Sequence, residues 1–97
     1  MSKTFSERIR FLRATRGLLQ RQVANQLDID TPMLSKIERG ERKAKKEQVF
    51  KFANVLKVNV DDLLSLWLAD QVYEIVKNEK LGHKALKIVE QQINSKD

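Results

Sequence analysis

Ninety-seven residues suit one domain with an appended element, and 41% hydrophobic residues with one Pro and three Gly suit a compact core and exclude a disordered or all-β chain. No Cys is present, which excludes a disulfide framework and thiolate metal sites and suits a reducing cytoplasm. Within the net charge of +6, residues 1–58 carry 14 Lys/Arg against 6 Asp/Glu and residues 59–97 carry 5 against 7, so either a basic lobe meets a polyanion and an acidic tail meets protein, or the basic face is simply solvated.

The first residues, Ser2-Lys3-Thr4, hold no apolar run, so no signal peptide is expected. Thr4 to Glu7 has the spacing of a capping box, and Phe5, Ile9 and Leu12 mark one face of a helix that Gly17 ends. Val23, Ala24 and Leu27 predict a second helix over 20–27. Asp28 occupies a bend that favours a left-handed residue, and Ile29 can plug the angle between helices. Asp30 or Thr31 can cap a third helix over 31–39, with Pro32 tolerated in its first turn and Leu34 and Ile37 as its apolar stripe. Gly40 offers a left-handed stop.

Val49, Phe52, Ala53 and Leu56 space out a fourth helix, and Asn59 to Asp62 start a fifth with acids at its positive end. Leu63, Leu64, Trp67, Leu68, Val72, Ile75 and Val76 continue that stripe to about residue 78. Lys80-Leu81-Gly82 reads as a break before a last helix carrying Ala85, Leu86, Val89 and Ile93. No segment alternates like a strand, and the apolar patch at 63–69 is far short of a membrane span.

The stretch from Gln20 to Gly40 resembles the helix-turn-helix of the phage repressor/Cro family, also known as the xenobiotic-response-element family. Gln20 opening one helix, Ala24 four residues on, and Ile37-Glu38-Arg39-Gly40 closing the next match its pattern without a gap. The likeness extends over about residues 5–64. The chain departs at Leu19, where a capping Ser or Thr is usual, at Asp28 for Gly, and at Lys45 and Lys57 for a later cap and a later Gly. The resemblance implies an all-α fold, a five-helix repressor-like DNA-binding domain over 1–64 with a C-terminal helical extension over 65–97.

In that family the third helix enters the major groove N-terminus first, so its early exposed residues meet base edges. The resemblance makes Thr31, Pro32 and Lys36 base readers, with Ser35 a further candidate. Lys36 suits guanine O6/N7, while Thr31 and Pro32 suit a hydroxyl contact and a thymine methyl; outside the family pattern Lys36 is an ordinary solvated lysine. Gln20, at a helix N-terminus, can hold a phosphate. Arg39, Lys43 and Lys46 match backbone-contacting positions, and Arg42 and Lys45 thicken the same loop. Glu38 would repel DNA if exposed; the resemblance pairs it with Arg13, locking the third helix against the first.

A five-helix core leaves little surface for two more apolar stripes. Two-fold dimerisation through Trp67, Leu68, Val72, Ile75 and Val76, with Tyr73 a further anchor, is the preferred reading; packing back onto the same chain, with Trp67 in the core, is the alternative. His83 is the single His and has no neighbouring ligand set, Asp61 and Asp62 read as helix-start acids, and no Gly-rich phosphate loop or nucleophile–base pair is seen. No catalytic residue, metal or cofactor is therefore expected.

The expectation is a cytoplasmic, homodimeric, sequence-specific transcriptional regulator on a near-palindromic operator, with double-stranded DNA and a second copy as partners and no membrane contact. Leu34 to Arg42 and Leu66-Trp67-Leu68-Ala69-Asp70 resemble the short regulators encoded beside DNA methyltransferases and restriction enzymes. That implies control of restriction-modification genes. No ligand-binding domain is apparent, so control is expected through concentration, dimerisation or a protein partner on the extension. The rivals are an antitoxin whose tail grips a toxin, and an interaction module that keeps the shape without binding DNA.

Overall fold

The computed structural model describes residues 2–96. Among them it contains six α-helices and no strand: α1 (Phe5–Thr15), α2 (Gln20–Gln26), α3 (Thr31–Glu38), α4 (Lys46–Leu56), α5 (Val60–Val76) and α6 (Gly82–Asn94).

Local chemistry accounts for the helix starts. Thr4 Oγ1 accepts from the Glu7 amide at 3.1 Å while Glu7 Oε1 accepts from the Thr4 amide at 3.2 Å, a complete capping box. Asp30, rather than Thr31, caps α3, its Oδ1 accepting from the Met33 amide at 2.8 Å. Asn59 accepts from the Asp61 amide at 2.7 Å at the head of α5. Leu19 and Lys45 offer no side-chain acceptor. In α2 and α4 only the returning half of the box remains, with Gln22 and Gln48 accepting from the Leu19 and Lys45 amides at 2.7 and 2.8 Å.

Asp28 and Lys57, where the family pattern favours Gly, take left-handed backbones with φ of 57° and 56°. Such a conformation costs a residue with a Cβ about 1–2 kcal/mol, so the surrounding packing has to hold both bends.

The core lies where α1 to α4 meet the start of α5. Ile9, Val23, Leu34, Ile37, Phe52 and Leu56 are almost entirely buried, and Phe5 meets Phe52 edge to face at 5.6 Å. The boundary expected after residue 64 falls inside α5, which runs on without a break. Past that point α5 is tied to backbone groups of the first lobe twice. The Phe5 amide donates to Asp70 Oδ2 at 3.0 Å, and the Trp67 indole N–H donates to the Ala44 carbonyl at 2.7 Å.

α6 is different. It buries only Gly82, and none of its apolar side chains packs on the core. The radius of gyration, 15.2 Å, exceeds the roughly 12.5 Å of a compact chain this long, as a projecting arm requires.

Candidate nucleic-acid interface

At 100° per residue, positions 31, 32, 35, 36 and 39 fall on one arc of α3, opposite the buried Leu34 and Ile37. Pro32, Lys36 and Arg39 are exposed on this arc, and Thr31 and Ser35 are half-buried.

Polar contacts brace the last turn of α3 from the flank between its apolar stripe and this arc. Arg13 Nε donates to Glu38 Oε2 at 2.6 Å and Nη2 to Oε1 at 3.0 Å, while Nη1 donates to the Leu18 carbonyl at 2.9 Å. The guanidinium thus links α1, the turn before α2, and α3. Gln20 joins the same cluster: one N–H of its side-chain amide, the group expected to hold a phosphate, donates to Glu38 Oε1 at 3.0 Å.

Arg39 is also engaged within the chain. Its Nε and Nη2 donate to the two Glu41 carboxylate oxygens at 2.7 and 3.2 Å, and Nη1 donates to Ser35 Oγ. Lys43 leans toward α5, with Nζ 3.3 Å from Gln71 Oε1 and 6.0 Å from the Trp67 ring centre. Arg42, Lys45 and Lys46 are exposed in or beside the same loop. The cations expected to meet a phosphate backbone therefore lie at the C-cap of α3 (Arg39) and along the loop that leads from it into α4.

Trp67, expected at a subunit interface, is half-buried within its own chain and latches the 41–45 loop to α5 through Ala44. A buried indole N–H needs an acceptor, and the loop carbonyl supplies it. Val76 is half-buried and lies against Gly82, where a Cβ would come within 2.9 Å of the Val76 carbonyl oxygen. Leu68, Val72 and Ile75 remain exposed. Among the described residues no His, Cys, Asp and Glu cluster suits a metal ion, and no helix is long and apolar enough to cross a membrane.

A helix-turn-helix family model matches residues 9–63, from the first turns of α1 into α5. The chain belongs to the helix-turn-helix family. It is of the Cro/C1 type and has the all-α fold of that family's DNA-binding transcription regulators. Among solved structures it is similar to the restriction-modification controller protein C.AhdI from Aeromonas hydrophila. The identity is 30%, over 61% of this chain and 89% of that one, with a TM-score of 0.57. Two structures of the clp gene regulator ClgR from Corynebacterium glutamicum share the fold. One is 24% identical over 70% of this chain and 88% of that one, with a TM-score of 0.59. The other is 19% identical over 93% and 90%, with a TM-score of 0.61. Comparison with curated proteins returned no match.

Sequence reasoning misses Glu41, Asp70 and Gln71, which engage Arg39, the Phe5 amide and Lys43. Only Glu41 leaves a local signal. With Gly40 at φ +76°, the Gly40 and Glu41 amides donate back to the Ile37 and Lys36 carbonyls at 3.1 and 2.9 Å, a Schellman closure. A glycine after a helix ending in Arg39 predicts that reversal, and the next residue must then lie beside the last turn.

Proposed function

We propose that the protein is a homodimeric transcriptional regulator that reads a near-palindromic operator with the exposed arc of α3. The observation that carries this is that Leu34 and Ile37 are buried on one side of α3 and the Arg13–Glu38–Gln20 cluster pins its last turn from the flank, while Thr31, Pro32, Ser35 and Lys36 lie on the side away from the core. A rigid helix with a polar and cationic outer edge suits insertion into the major groove, with Lys36 the guanine-reading donor. Arg39, Arg42, Lys43, Lys45 and Lys46 position the helix on phosphates.

The dimer reading is supported by the exposed Leu68, Val72 and Ile75 on α5 and Leu86, Val89 and Ile93 on α6, an apolar surface that a single chain leaves wet. A two-fold pair places two α3 helices about 34 Å apart, or a multiple of it, and joins two weak half-site contacts into tight binding. The 30% identity to a restriction-modification controller over 89% of that protein supports control of restriction-modification genes.

Selection of bound duplexes from a random library, with solution mass measured alongside, tests the reading. Inverted repeats spaced by whole helical turns and a dimeric mass are expected. A dimer with no preference among duplexes would defeat sequence reading. A monomer selecting single half-sites would instead assign the exposed stripe to a different protein partner, as in an antitoxin.

A further inference from the structure

Glu41 is an odd neighbour for a helix meant to approach a polyanion. The Schellman closure fixes its backbone, since the Glu41 amide is bound to the Lys36 carbonyl at 2.9 Å. Its carboxylate meets the Arg39 guanidinium through two parallel N–H···O contacts, 2.7 and 3.2 Å long. Both side chains are about half exposed. The hydrogen bond from Arg39 holds the Glu41 carboxyl below the usual carboxylate range, and the charges of Arg39 and Lys36 act in the same direction. Glu41 is therefore an anion at neutral pH, set between two cations of the α3 arc.

The two-pronged contact is also the way a guanidinium grips phosphate. A phosphate and the Glu41 carboxylate cannot both occupy the Nε and Nη2 donors. An exposed pair of this kind is weakly held in water, so exchange is easy but not free. We infer that Glu41 is an internal stand-in for a DNA phosphate, filling the fork of Arg39 in the free protein and giving way when duplex binds. This rests on the DNA reading of α3 given above. Because phosphates carry no sequence information, Glu41 restrains affinity for every duplex alike and leaves base preference untouched.

The test is a two-by-two set of full-length proteins: wild type, E41Q, R39A and R39A/E41Q. Each is titrated with a fluorescent duplex of arbitrary sequence in low salt. E41Q should tighten binding by about two- to fivefold per subunit, the range of an exposed ion pair, and this gain should vanish in the R39A background. An equal gain in both backgrounds would mean plain charge repulsion and overturn the stand-in role. So would an unchanged or weaker E41Q. Wild type that binds no duplex at all would remove the DNA reading itself, and the assignment with it.

Discussion

Arg13 on α1 grips Glu38 on α3 with two N–H groups at 2.6 and 3.0 Å, and Glu38 is only 4% exposed against 18% for Arg13. The same carboxylate accepts from Gln20, so three elements converge on one buried anion. Glu38→Ala strands the guanidinium and should lower stability by about 3–5 kcal/mol. Glu38→Gln keeps an acceptor and should cost less. Urea unfolding of both variants checks the order; a loss below about 1 kcal/mol for the alanine variant would show that the pair does not anchor α3.

Trp67 is the single Trp, its N–H held by Ala44 and its ring beneath Lys43. Trp67→Phe removes the donor and should destabilise by about 1–3 kcal/mol. In the wild type, DNA that draws Lys43 off the ring should shift Trp67 emission. Constant emission at saturating duplex would mean that Lys43 stays against α5.

Lys36 and Lys46 should fail differently. Lys36→Ala should relax preference at one base step of each half-site by about 1–3 kcal/mol. Lys46→Ala should weaken all sequences alike and lower the salt slope by about 1 per subunit. Competition between operator and arbitrary duplex across a salt series separates the two outcomes.

Two carboxylates pull acid stability in opposite directions. Glu7 is held below its ordinary value, first by the Lys3 amide and then by the Thr4 amide. Its contribution is therefore present above the unfolded-chain value and lost as pH falls through the lower folded value. Asp70 is pushed up by burial, against the Phe5 amide, with Glu7 and Glu74 adding repulsion. The folded chain binds that proton more tightly, so its share of stability falls as pH rises from the unfolded toward the folded value. Melting temperatures between about pH 3 and 7, spanning the carboxylate range, should show a flatter acid limb for Glu7→Gln and a steeper one for Asp70→Asn.

Lys57 closes α4 with φ at 56°. Lys57→Gly should relieve that strain and raise stability by about 1 kcal/mol. An unchanged unfolding midpoint would show that the lysine makes contacts worth as much as the strain.

What the chain alone made legible is what local chemistry encodes. Spacings of three and four residues disclosed all six helices, and the ends read for the second, third and fifth lie within two residues of those observed. Thr4 with Glu7, Asn59, Asp28 and Gly40 declared their caps and turns through contacts no more than a few residues away. The arc of Thr31, Ser35 and Lys36 was readable because its opposite, Leu34 and Ile37, is apolar. Which side chains meet across the fold was decided only in three dimensions. The Arg13–Glu38 pair was implied by family likeness, but Gln20 on Glu38, Trp67 on Ala44, Lys43 on Gln71 and Asp70 on Phe5 depend on how helices rotate against one another and which rotamers packing allows. The helical period determines a helix's apolar face, but the partner for that face depends on the whole packed core.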